Sequence, residues 1–199
     1  GVVKSGSVAV GMSADAKIDA VRRMDIMRNH TAAHLLQAAL REVLGNHVEQ
    51  AGQLVTEHSV RFDFTHFSAP TAQELMAVEE RVNEVILAGM PVEVKEMPIE
   101  EAKKMGAMAL FGEKYGDIVR VVKAGDISTE LCGGTHVDNT AKIGLFKIRQ
   151  EGSVAAGVRR IEAVTGHGVL AMVENAMNMI AQTAITLKIS NPREIVAGA

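Results

Sequence analysis

Residues 59–65 read Ser-Val-Arg-Phe-Asp-Phe-Thr, with Val60, Phe62 and Phe64 alternating against Arg61, Asp63 and Thr65. A period of two puts the apolar three on one side of a strand and the polar three on the other, so one face is buried. Upstream, Leu35, Leu36, Ala39, Leu40, Val43 and Leu44 recur at three- and four-residue spacing. That rhythm predicts a helix over 29–44, capped by Asn29 and ended by Gly45-Asn46. Downstream, Thr71-Ala-Gln-Glu74 has the form of a capping box. It opens a second helix with an apolar stripe of Leu75, Val78, Val82, Val85 and Ile86, stopped by Gly89-Met90-Pro91.

Further along, 92–94 reads as a short strand and Pro98 begins a short helix ending at Gly106. Strands are expected near 117–123, 127–131, 143–150 and 158–164, separated by glycine-containing turns. From His167 the chain is Ala- and Met-rich and reads as helix to about Leu187, broken by Asn191-Pro192. Met24, Met27, Met172, Met177 and Met179 fall in segments read as helix, where packing is the expected role. Residues 1–22 read as a strand around Ser7-Val-Ala-Val10 and then a helix start, without a core of their own. Several strands follow one another through short connections. The class is therefore α+β, with an antiparallel or mixed sheet packed against helices.

Composition narrows the function. The 199 residues are 47% hydrophobic and 23% charged with net charge −3, as expected of a globular chain rather than a disordered or fibrous one. No apolar run approaches the ~20 residues of a membrane span, and Gly1–Gly11 lacks a signal peptide's apolar segment. One cysteine cannot build a disulfide framework and points to a reducing compartment, the cytoplasm. Five Phe, one Tyr and no Trp leave little for single-strand stacking, so any RNA contact is expected through the backbone and one terminal group.

Two constellations carry chemistry. His30-Thr-Ala-Ala-His34 places two imidazoles one helical turn apart, on the same face. Alone this spacing is weak, and Thr31 stands where a metalloprotease has its glutamate. Cys132-Gly-Gly-Thr-His136 joins the only cysteine to a histidine through two glycines, which let the backbone double back. Three imidazoles and one thiolate suit Zn²⁺ and suit Mg²⁺ poorly. Two other readings stay open: a Cys–His nucleophile pair acting as a thiol hydrolase, and separate residues with no shared site.

Five blocks in order also resemble a family. They are Asn29–Leu36, Phe62-Asp-Phe64, Gly106–Gly116, Glu130–His136 and Gly157–Gly166. Together they resemble the editing domain of bacterial alanyl-tRNA synthetases. Threonyl-tRNA synthetase editing domains and free-standing alanyl editing proteins share the two His/Cys halves. The resemblance implies a zinc-containing editing fold over 24–166, with His30, His34, Cys132 and His136 on the metal. It implies a connector from a preceding barrel over 1–23, and a helical linker toward a C-terminal domain over 167–199. It also implies hydrolysis of tRNA(Ala) mischarged with serine or glycine. The resemblance further implies a parent enzyme that ligates alanine to tRNA(Ala), using ATP and Mg²⁺ in an aminoacylation domain expected outside this chain. Neither DNA nor a membrane is implied as a partner. A non-catalytic tRNA-binding module with a structural zinc is the alternative.

Within this resemblance Gln50 matches a glutamine of the editing pocket, in a loop before the Phe62 strand, where it would position water or the aminoacyl group. The family's usual Thr before the second histidine is Ala33, and its usual Ser after the loop glycine is Gln53. Both positions are implied to shape the pocket, and Thr31 and Gln53 are candidates to supply the missing hydrogen bonds. Lys147, Arg149, Arg159 and Arg160, set against Glu151, form a basic stretch that could meet phosphates, with Arg159 and Arg160 as candidate contacts. A solvated sheet face explains the same pattern.

Overall fold

The computed structural model describes residues 1–109, 115–189, 191, 194 and 195. Part of the Gly106–Gly116 block, residues 110–114, therefore lies outside the described residues, as does Pro192. Helix α1 spans Ala20–Leu44 and begins earlier than its apolar rhythm predicts, because the Asp19 carboxylate accepts from the Arg22 amide. Asn29 is consequently an interior residue and not a cap. Its amide is buried, donating to the Thr56 carbonyl and accepting from the Thr165 hydroxyl. Gly45 ends the helix with φ 115°, a conformation that favours glycine. Residues 1–19 form no strand and are exposed throughout, so the expected strand at Ser7–Val10 is absent. With its next strand pairing elsewhere, that stretch has nothing to alternate against.

After α1 come β1 (Gln50–Val55), β2 (Val60–Thr65), α2 (Ala72–Leu87), β3 (Val92–Pro98) and α3 (Ile99–Lys104). Strands β4 (Ile118–Ala124) and β5 (Ser128–Leu131) follow, then a 3-10 turn at Thr140–Ile143, β6 (Phe146–Ala155), β7 (Val158–Thr165) and α4 (His167–Leu187). The capping box at Thr71 forms as expected, with both hydrogen bonds between Thr71 and Glu74. Strand β1 has no counterpart among the expected elements. It is an edge strand with a register shift between Gln50 and Gly52 and weak alternation, which removes the period-two signal.

The strands form two sheets, ordered β1-β2-β7-β6 and β3-β4-β5, with every named ladder antiparallel. Phe62 and Phe64 of β2 and Ile161 and Ala163 of β7 turn inward. Leu35, Leu36 and Leu40 of α1 and the Val78–Ile86 stripe of α2 complete the main core with them. A smaller cluster gathers Ala102, Val119, Val121 and Leu131. Strand β4 serves both, because Val121 enters the small cluster while Val122 and Ala124 enter the main one.

Met24 and Met27 pack on the main core as expected. Met177 and Met179 do not: α4 buries only Val169 and Ala184 and presents these methionines to solvent. Among the described residues, no helix is long and apolar enough to cross a membrane.

Candidate metal centre

Helical spacing puts His30 and His34 on the side of α1 that faces the loop leaving β5. That loop carries Cys132 and His136, and the four donor atoms lie within 4.8 Å of one another. Cys132 Sγ is 3.5 Å from His30 Nε2 and 3.3 Å from His136 Nε2. The His136 ring centroid is 4.3 Å from that of His30 and 4.5 Å from that of His34. Three imidazoles and one sulfur at such separations can hold a metal ion, and Cys132 is in no disulfide.

Several residues build this loop. Gly134 passes so close to α1 that a Cβ there would lie 1.9 Å from His30 Cε1. The position needs glycine for space. Arg120 Nη1 on β4 donates to the carbonyls of both Cys132 (2.7 Å) and Gly134 (2.6 Å), and the Cys132 amide donates back to the Arg120 carbonyl. Thr31 Oγ1 accepts from the Val137 amide and meets His136 Nδ1 at 3.1 Å, fixing that ring from behind. Ser128 Oγ donates to Glu130 Oε1, whose other oxygen lies 3.6 Å from His34 Nε2. Linear reading found neither Arg120 nor Glu130 as members of the site. Glu130 at least stands inside a quoted motif, whereas Arg120 acts on carbonyl oxygens that carry no residue signature.

Burial sets the electrostatics. It lowers His34 to about 3, with the neighbouring His30 adding to the effect. It lowers His136 to about 2, helped by His34, His30 and the positive charge of Arg120. His30 is lowered by burial and by Arg120, against a hydrogen bond to the Thr135 backbone. All three imidazoles are therefore neutral near pH 7, the form that ligates metal. Burial raises Glu130 to about 7 despite the Ser128 hydroxyl. Among the described residues, His34 Nδ1 is buried without a hydrogen-bond partner.

A cavity of ≈ 310 Å³ opens beside the cluster, lined by His30, His34, Cys132, Gln50, Gln53 and Glu130 among others. Gln50 lies on β1, not in a loop, and Gln53 follows on the same strand. Thr31 is 1% exposed and engaged with His136, behind the cluster and away from the cavity lining. Ala33 is fully buried in the main core.

The basic stretch is largely paired. Arg159 makes two bonds to Glu151 (2.6 and 2.7 Å) and Arg160 two to Asp63 (2.6 and 2.7 Å). Lys147 holds Glu79. The partner of Arg160 is on β2, one strand over.

Residues 119–162 match the family model described as the threonyl and alanyl tRNA synthetase second additional domain. The chain is 55% identical over 195 residues to an alanine–tRNA ligase of Bacillus subtilis, covering 98% of this chain and 22% of that protein. It is 54% identical over 196 residues to that of Acetivibrio thermocellus, covering 98% and 22%, and 54% identical over 188 residues to that of Clostridioides difficile, covering 94% and 21%. The chain thus spans about a fifth of these relatives' length. Along nearly all its length the chain is similar to one stretch of alanine–tRNA ligases, and within it residues 119–162 match the second additional domain of threonyl and alanyl tRNA synthetases.

Proposed function

We propose that this chain hydrolyses the ester of tRNA(Ala) mischarged with serine, and with glycine, at a Zn²⁺ held by His30, His34, Cys132 and His136. The convergence of those four donors beside a cavity carrying Gln50 and Gln53 supports this reading above all else. The donor set fits zinc: it is nitrogen- and sulfur-rich, neutral at the imidazoles, and braced from behind by Thr31. Bound there, the ion supplies Lewis acidity and an organising charge.

The protein's own groups do the rest. Gln50 has an amide that both donates and accepts at the cavity wall, and it positions water or the aminoacyl group. Gln53, on the same wall, meets the serine hydroxyl, and Thr31 supports the pocket indirectly through His136. A synthetic site built for alanine cannot exclude a near-isostere strongly, since one small group is worth ~1–3 kcal/mol, so a second hydrolytic site that bonds the hydroxyl restores fidelity. The partners on this reading are tRNA(Ala) and the remainder of a longer cytoplasmic enzyme, whose aminoacylation domain would use ATP and Mg²⁺.

A deacylation time course on seryl-tRNA(Ala), with and without chelator, tests the proposal. Expected are hydrolysis by the metal-loaded protein, loss with chelator and recovery with Zn²⁺. The short Cys132–His136 contact favours one other reading, a thiol nucleophile. Chelator-resistant hydrolysis by protein free of zinc, abolished by Cys132→Ala, would establish that alternative. A folded, zinc-loaded protein that binds tRNA without cleaving the ester would be a binding module instead.

A further inference from the structure

Three rings gather where the chain enters β1 and leaves β2, away from the metal cluster. His47 Nε2 and His66 Nδ1 meet at 2.9 Å, closer than rings stacked face on can bring two atoms, so these imidazoles join edge to edge. Their planes are 24° from parallel and their centroids 5.1 Å apart. On the other side of His47 lies Phe67, 19° from parallel at 5.8 Å, within the range of an offset stack. The three make one nearly flat shelf. His47 is exposed and Phe67 is 91% exposed, while His66 is half-buried and leans at 6.4 Å on Phe64 of the main core.

A single exposed phenylalanine is ordinary. One held parallel to a hydrogen-bonded pair of imidazoles is a prepared surface. The backbone braces it from two sides. Thr65 Oγ1 donates to the His47 carbonyl at 3.0 Å and accepts from the Glu49 amide at 2.9 Å. The His66 amide donates at 3.0 Å to the carbonyl of Gly157, in the turn between β6 and β7. The rings are therefore set before anything binds, which spares a ligand much of the cost of ordering them. The shelf also adjoins the proposed site. His47 stands three residues before Gln50, at most ~11 Å of chain. Gln50 lines the cavity beside the metal cluster and pairs with Phe64, on which His66 leans.

We infer that His47, His66 and Phe67 form a stacking shelf for the unpaired bases that lead up to the esterified end of the RNA. The inference rests on the proposed hydrolysis for the identity of its ligand. A transfer RNA carries its ester on a short single-stranded tail, and a tail whose end reaches Gln50 runs outward over the neighbouring surface. Every base has a π-face, so flat rings hold such a tail whatever its sequence. A protein partner anchors instead on aromatic residues seated in well-packed pockets, whereas Phe67 stands almost clear of its surroundings. A count of Phe, Tyr and Trp overlooks this surface because two of its three rings are imidazoles.

The test titrates the 199-residue protein into hairpins of the tRNA(Ala) acceptor stem, one with its natural unpaired 3′ tail and one whose tail is abasic ahead of the terminal nucleotide. Anisotropy of a 5′ label reads binding, and quenching of 2-aminopurine placed just before the terminal nucleotide reads stacking. Phe67→Ala should weaken binding of the natural tail roughly fivefold to a hundredfold and relieve the quenching. Phe67→Trp should keep both. On the abasic tail, Phe67→Ala and the parent should agree within about twofold. The salt dependence of binding should be the same for both proteins, because the ring carries no charge. Circular dichroism and metal content should not move, since Phe67 lies outside the core. No binding of either hairpin, equal binding of both tails by the parent, or unchanged affinity in Phe67→Ala would each overturn the inference. So would an equal loss on the abasic tail, which would make the ring a support of the fold. Tail stacking without ester hydrolysis would sink the proposed activity and leave the shelf standing. Hydrolysis of seryl-tRNA(Ala) with KM unaltered by Phe67→Ala would do the reverse.

Discussion

Gly134 and His30 lie so close that the His30 ring occupies the space a side chain at 134 would need, a Cβ there falling 1.9 Å from His30 Cε1. Gly134→Ala must therefore push α1 and the Cys132–His136 loop apart or turn the His30 ring. The neighbouring Gly133 has open space at its Cβ and serves as the control. Expected is at least a tenfold loss of zinc affinity for Gly134→Ala in a chelator competition, the scale on which disturbed support of metal ligands is felt. Gly133→Ala should stay near the parent value.

Arg120 is a positioning residue, since it touches only the carbonyls of Cys132 and Gly134 within this loop. Arg120→Met removes both bonds and should lower metal affinity by about 10–100-fold. Arg120→Lys keeps the charge but reaches one carbonyl at best, and should recover only part of the loss. With Co²⁺ in the site, a weakened thiolate-to-metal absorption band would distinguish a displaced sulfur from general destabilisation.

The metal-free protein should lose stability as pH falls from about 7 toward 5. The histidines at 34 and 136 are held neutral in the fold, at about 3 and about 2, whereas unfolded they titrate near 6.5. Between those values the unfolded chain binds more protons, so each such histidine costs up to ~1.4 kcal/mol per pH unit below its unfolded value. Glu130 acts oppositely: raised to about 7, it is protonated in the fold and ionised when unfolded between about 4.5 and 7, so its share rises with acidification. Two histidines outweigh one carboxyl, and the net slope is destabilising. Urea midpoints at pH 7, 6 and 5 would show the decline, and Glu130→Gln should steepen it.

Arg159 and Arg160 are each committed to a carboxylate by two bonds. Replacing either by Met should leave the salt dependence of tRNA(Ala) binding unchanged, because a paired guanidinium displaces few counterions from phosphate. A slope reduced by about one per arginine would show that each exchanges its acid for a phosphate. Arg149, on the same strand as Lys147, is the comparison.

Much of this arrangement is visible in the sequence, and the omissions share a cause. Val60, Phe62 and Phe64 announce their strand because one face is fully buried and the other is not. Strand β1 is silent because an edge strand with a bulge at Gly52 buries neither face cleanly. The helix start read at the end of residues 1–22 falls at Asp19, but the apolar rhythm joins it only from Asn29, because residues 20–28 are mostly half-exposed and capping defines the first turns. The four donors are legible as residue types, since imidazole and thiol chemistry is carried by side chains. Arg120 is not, because its partners are backbone oxygens, and Thr31 reads as a pocket residue until the fold turns it toward His136. The pairing of Arg160 with Asp63 needs the β2–β7 register, which no local pattern supplies.

His30 and His34 belong to the helix of the main core, while Cys132 and His136 leave the small sheet at β5. An ion gripping all four is a rivet through the seam between two lobes. Its occupancy adds to their cohesion as RT ln(1 + [L]/Kd), whatever it contributes to chemistry. Stripping it should loosen amide protection along β4 and β5 while α2 and β6 stay shut, so that the proposed hydrolytic centre and the joint holding it together would fail as one.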